Sequence, residues 1–214
     1  EHGAVGKAEG CYTIMVFTRR LPDRISTDSC ANNAAIRFHG TSSQIARQPE
    51  LYDQPRAGLV CRSGFGFSVA VNKVGDILAV GARLDDPNGA ESGEVTVYKW
   101  NGTAWVQYGN AIAGEFADDN FGWDVALNAA GDRLVVGAQV SDASGVNSGQ
   151  VRVYAYDSGV WVQLGADLDG QAADDRFGYS VDMNAKGDRI VVGALYNDAN
   201  GSNSGQVRIY ELTN

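Results

Sequence analysis

Residues 121–138 read FGWDVALNAAGDRLVVGA, and the same frame returns as FGFSVAVNKVGDILAVGA at 65–82 and FGYSVDMNAKGDRIVVGA at 177–194. The interval is 56 residues each time, and shared residues run through the whole period. Fixed-period self-similarity of this kind is the mark of a repeat architecture. Three units follow: 65–120, 121–176, and 177–214, the last stopping just after its third predicted strand. Val125-Ala126-Leu127 suits a pleated surface and ends in the turn Asn128-Ala129-Ala130-Gly131-Asp132. Leu134-Val135-Val136 is apolar on consecutive positions, so both of its faces are expected to be buried. A loop containing Asp142, Gly145, Ser148 and Gly149 leads to the alternating strand Val151–Tyr154. The turn Asp157-Ser158-Gly159 then leads to Trp161-Val162-Gln163-Leu164. Nothing in the period has helical spacing.

Four short antiparallel strands per unit, with a second strand covered on both sides, describe blades packed face to face. The expected fold is therefore all-β: four-stranded antiparallel β-propeller blades, forming a partial propeller behind a divergent N-terminal segment. A β-solenoid is the competing arrangement, but its rungs are usually shorter. The positions expected to be buried are Val69, Val71, Leu78 and Val80, with their counterparts 56 and 112 residues further on.

The pattern FG-x-(S/D)-V-x-x-N-x-x-GD-x-(L/I)-x-VGA resembles the FG-GAP repeat of integrin α-subunit propellers and many microbial and algal surface proteins. The resemblance covers residues 65–214. It implies a propeller and an extracellular or cell-surface setting. Calcium-binding members carry an acidic D-x-D-x-D-G-like loop between FG and GAP. Here the turns Asn72–Asp76, Asn128–Asp132 and Asn184–Asp188 stand in its place. They lack the oxygen ligands that Ca²⁺ needs, so the family's calcium loop is not carried over to them.

Composition agrees with a globular protein. The 214 residues are 44% hydrophobic and 20% charged, with 27 glycines and 4 prolines. No apolar run approaches the ~18–20 residues of a membrane span. The formal charge of −9 argues against a nucleic-acid backbone as partner. The sequence begins at Glu1 without a charged or apolar leader, as expected of a processed protein or a piece of a longer one. Charge is uneven: residues 1–64 carry a net +2 and residues 65–214 a net −11. Segment 1–64 also holds Cys11, Cys30 and Cys61, the candidates for one disulfide and one remaining thiol. It reads as a divergent N-terminal segment or an extension used for assembly.

Candidate sites lie in the loops. Asp86, Asp142 and Asp198 recur by position, each with Asn or Ser two residues on, and are the candidate calcium ligands. An Asx-type turn is the stronger reading, because each loop offers few carboxylates. Calcium is thus a possible cofactor, and no other is implied. The pairs Asp118-Asp119 and Asp174-Asp175 read as caps between units rather than as a catalytic pair. No His lies in the repeats to activate Ser68 or Ser180, and no nucleophile elbow, P-loop or dinucleotide motif is present. No catalytic residue is named, and the chain reads as non-enzymatic. Trp105, Trp161, Tyr98 and Tyr154 recur and read as packing residues. Trp100 and Trp123 do not recur as Trp and are the better candidates for exposed contact. Asn101-Gly102-Thr103 and Asn200-Gly201-Ser202 are glycosylation sequons on expected loops.

The leading expectation is an extracellular module for adhesion that binds a protein or glycan. The alternatives are a structural protomer of a filament or sheath joined head to tail, and the non-catalytic part of a larger secreted enzyme. Partners are expected to include further copies of the chain or the rest of its parent protein.

Overall fold

A computed structural model describes residues 63–212, together with Leu51. The three cysteines and most of segment 1–64 lie outside the described residues, and so does any disulfide among them. The described chain contains no helix; it forms three antiparallel sheets, one per repeat. The first contains β1 (Phe65–Val71), β2 (Ile77–Ala82), β3 (Glu94–Trp100), β4 (Trp105–Gln107) and β5 (Ile112–Ala113). The second contains β6 (Asp124–Leu127), β7 (Arg133–Ala138), β8 (Gln150–Asp157), β9 (Val160–Gln163) and β10 (Leu168–Asp169). The third has β11 (Phe177–Met183), β12 (Arg189–Ala194) and β13 (Gln206–Glu211).

In the first two sheets the outer edge differs from the four-strand expectation. β4 pairs with Tyr98–Trp100 and β5 with Glu94 and Val95, so two short strands share one edge of β3 end to end. β9 and β10 divide the edge of β8 in the same way.

Each turn between the first two strands of a unit is built by one asparagine. Asn72 Oδ1 accepts from the backbone N–H groups of Gly75, Asp76 and Ile77, and its Nδ2 donates to Asp76 Oδ1. Asn128 repeats the arrangement with Gly131, Asp132 and Arg133. The Asp carboxylate of the turn is therefore engaged within the turn. Successive turns also join, since Lys73 N donates to Ala129 O and Ala129 N to Ala185 O.

The sheets stack face to face, with β6 beside both β1 and β11. First strands side by side, each sheet covering the next, is the packing of propeller blades. One core lies between sheets one and two: Ala79, Val95 and Val97 meet Val125, Leu134 and Val136. The other lies between sheets two and three, where Val135, Val151 and Val153 meet Val181, Ile190 and Val192. Alternate residues of β7 serve different cores, which is why its run is apolar on consecutive positions.

Burial of Leu78, Val80 and their four counterparts in β7 and β12 matches expectation, as does that of Val125, Val181 and Met183, while Leu127 is half-buried. Val69 and Val71 are exposed instead. They occupy the face that in β6 and β11 is covered by the preceding sheet, and no described sheet precedes the first.

Candidate binding rim

The frame residues FG open each unit with a kink. Gly66, Gly122 and Gly178 have φ of 85°, 86° and 83°, a region that favours glycine. In β1 and β11 the pairing register slips between the FG phenylalanine and the serine three residues on. Such a bulge re-aims the side chain it carries. The residue so aimed is aromatic in every unit: Phe67, Trp123 and Tyr179.

These three rings form a row across the three sheets. Phe67 and Trp123 lie 4.9 Å apart, centroid to centroid, and Trp123 and Tyr179 lie 5.7 Å apart, each pair tilted. Phe67 and Tyr179 are exposed, and Trp123 is half-buried between them. The Arg83 guanidinium sits 4.5 Å from the Phe67 centroid and 5.0 Å from that of Trp123, and donates to Asn120 Oδ1 at 2.8 Å. One repeat later its position is Gln139, and in the third it is Leu195. The row thus combines a fixed aromatic class with changing neighbours. Its signal in the sequence is aromatic character at one offset after FG, not the identity of a single residue. Trp123 belongs to it; Trp100 instead packs on Trp105 at 5.6 Å in the outer hairpin.

The Asp-centred loops close on themselves. Asp86 Oδ1 accepts from Glu91 N, Asp142 Oδ1 from Asn147 N, and Asp198 Oδ1 from Asn203 N, at 2.7, 2.8 and 2.6 Å. Each donor has a left-handed φ of 52–53°, so the carboxylate steadies a strained residue of its own loop. The structure leaves the three aspartates in three separate loops. Among the described residues, no three His, Cys, Asp or Glu side chains gather as a metal site.

The paired aspartates divide their work. Asp119 is buried and accepts from Phe116 N at 3.1 Å, while Asp175 accepts from Gln171 N and Ala172 N. Asp118 and Asp174 are exposed, with φ of 67° and 63°. Burial pushes the Asp119 carboxyl above its ordinary range, against the hydrogen bonds from Phe116 and Ser141. Burial likewise raises the Asp124 carboxyl, although it accepts from Val181 N at 2.8 Å and Val125 N at 3.1 Å. Beneath the rim, Arg152 is buried and reaches Glu115 at 2.6 Å and Asp167 at 3.1 Å. Burial also pushes the neighbouring Tyr154 hydroxyl up to about 12. These groups join sheet edges to the segment linking units one and two.

Of the recurring aromatics, Trp161 is buried and donates from Nε1 to Tyr108 O at 2.8 Å, whereas Trp105 is half-buried. Both sequon asparagines are exposed. Asn101 Oδ1 accepts from Thr103 and Ala104 within its hairpin tip.

Among curated proteins, none matches this sequence. Solved structures do. A Bacteroides fragilis protein designated as a candidate 6-phosphogluconolactonase (BF1038) is 13% identical, with a TM-score of 0.44, covering 67% of this chain and 33% of that one. Kuenenia stuttgartiensis hydrazine synthase is 14% identical, with a TM-score of 0.42 and the same coverages. The Pseudomonas aeruginosa periplasmic gluconolactonase PpgL is 17% identical, with a TM-score of 0.47, covering 67% of this chain and 38% of that one. This chain spans about a third of the length of each. Enzymes among these neighbours overturn the exclusion of catalysis drawn from sequence. Likeness at 13–17% relates folds only, so it brings this chain neither an activity nor a bar to one. The family comparison is specific where the structural one is not: residues 105–154 and 167–210 match the FG-GAP repeat, within the segment whose sequence resembles it.

Proposed function

We propose that this chain is the recognition module of an extracellular or cell-surface protein and binds its ligand on the rim lined by Phe67, Trp123 and Tyr179. The observation that carries this reading is the aromatic row. Three rings from three units are set side by side at the opening of rigid strands, and two of them are exposed. A solvent-exposed row of aromatic faces costs hydrophobic free energy unless something covers it. Such faces suit the apolar side of a sugar ring or an extended peptide, with Arg83 and Asn120 beside them as polar donors and acceptors. Polysaccharide is the favoured ligand class, because the rings repeat along a row as sugar units repeat along a chain. FG-GAP repeats are typical of surface proteins, which supports the setting.

The test is a panel of immobilised glycans and cell-surface proteins, read by binding and by quenching of tryptophan emission. Trp123→Ala and Tyr179→Ala are expected to weaken binding about tenfold each, for a loss of roughly 1.4 kcal/mol. Binding that both variants leave unchanged would place the ligand elsewhere.

A further inference from the structure

We propose that Asn101, at the tip of the hairpin between β3 and β4, carries an N-linked oligosaccharide that stands at the end of the molecule away from the aromatic rim. This rests on the extracellular setting proposed above. Asn101-Gly102-Thr103 has a hydroxyl two residues after the amide, as the modification requires, and all three residues are exposed.

The tip uses only one half of the Asn101 amide. Its Oδ1 accepts from Thr103 N at 3.0 Å, and from Thr103 Oγ1 and Ala104 N at 2.9 Å each. Among the described residues no hydrogen bond engages Nδ2. By contrast, Asn72 and Asn128 commit both halves of their amides to their turns. Gly102 has φ of 100° with nothing within 4 Å of where a β-carbon would stand, so the turn is open above. Below, it is fixed: Asn101 N donates to Ala104 O at 3.0 Å, and Trp100 packs on Trp105.

The donor is an oligosaccharide carried on a lipid pyrophosphate. Nδ2 forms a bond to C1 of the first sugar. The bond from C1 to the pyrophosphate oxygen breaks, its electron pair leaves with the lipid pyrophosphate, and Nδ2 gives up a proton. Asn101 remains an amide throughout, so the three bonds to Oδ1 survive the modification.

Of the two sequons the fold favours this one. The loop equivalent to that of Asn200 leans on the following linker in the first two units. Asn88, the counterpart of Asn200, donates from Nδ2 to Gly114 O at 2.7 Å, and a β-carbon on Gly89 or Gly145 would meet Ala117 or Ala173 at 3.0 or 3.4 Å. A glycan on Asn200 competes for the seat the repeat gives to a linker. The second unit has Asp157-Ser158-Gly159 at its hairpin tip and offers no acceptor amide there. Phe65 and Glu94 pair with Ala82 at the rim end of sheet one, whereas Lys99 pairs with Ile77 at the other end. The length of β2 therefore sets Asn101 about 20 Å from the rim, and the sugar leaves Phe67, Trp123 and Tyr179 uncovered.

The experiment is secretion of the full 214-residue chain from a eukaryotic host behind a cleavable leader, with peptide mass spectrometry before and after peptide-N-glycosidase. Asn101 is expected to be the occupied site. Asn101→Gln and Thr103→Val, each with an unchanged circular dichroism spectrum, are expected to lose the glycan, and Asn200→Gln to keep it. Asn101→Gln is also expected to bind the ligand panel within about twofold of the parent. A secreted chain with Asn101 unmodified, or modified at Asn200 alone, overturns the proposal. A change of about tenfold or more in rim binding on loss of the sugar overturns its placement. The host supplies the extracellular setting, so an empty Asn101 condemns the site and not that reading. Conversely, a glycan at Asn101 together with unchanged binding by Trp123→Ala and Tyr179→Ala upholds the site and removes the rim.

Discussion

A β-carbon on Gly137 would lie 2.1 Å from the carbonyl oxygen of Gly178, so sheets two and three meet backbone to backbone at this point. No side chain can retreat to make room. Gly137→Ala is therefore expected to cost at least about 3 kcal/mol in urea unfolding, the range of overpacked cores. Gly159→Ala is the control. Its φ is +100°, but nothing lies within 4 Å, so only the backbone penalty of about 1–2 kcal/mol applies.

Asn128 is buried, and its carbonyl oxygen serves three backbone N–H groups. Asn128→Ala leaves those donors without their acceptor and is expected to cost about 2–4 kcal/mol by chemical denaturation. The equivalent Asn184→Ala lies in an exposed turn, where water replaces the lost bonds, and is expected to cost less than about 1 kcal/mol. Equal losses at the two sites would contradict the role given to burial.

Asp124 titrates above its ordinary value because burial disfavours the carboxylate. A carboxyl with a raised folded pKa favours the native state below its unfolded value near 3.8, and that contribution is lost as pH rises through the folded pKa. Asp124→Asn keeps an acceptor for Val181 N and removes the buried charge. Its melting temperature is expected to exceed the parent's at pH 7, with the gap closing as pH falls toward 4. A gap that widens on acidification would show that the carboxylate is stabilised where it lies.

Chelation tests the loops directly. Because Asp86, Asp142 and Asp198 each spend an oxygen on their own loop, EDTA is expected to shift the melting temperature by no more than about 2 °C. A large drop restored by added Ca²⁺ would make those loops metal sites.

Much of this architecture was legible because backbone requirements repeat. The FG kink, the Asn-to-Asp turn and the glycine of VGA each answer a fixed geometric need, so they recur at one interval. The two-residue strands Ile112–Ala113 and Leu168–Asp169 escaped notice because two residues carry no alternation to read. Exposure of Val69 and Val71 was equally hidden: burial belongs to the neighbour that covers a face, and local pattern is blind to it. The aromatic rim was obscured by its chemistry, since Phe, Trp and Tyr share a role without sharing a letter.

The outer hairpins behave differently from the clamped turns between first and second strands. Gly102 and Gly159 at their tips have nothing within 4 Å, whereas the Asn72 and Asn128 turns are tied to the units that follow. Length can therefore change at the tips without disturbing the period, while one added residue in a clamped turn would disrupt two units at once. An affinity tag, a fluorophore or a whole guest domain spliced in at Gly102 or Gly159 should leave the stack intact, making those two positions the practical points of entry for labelling this protein.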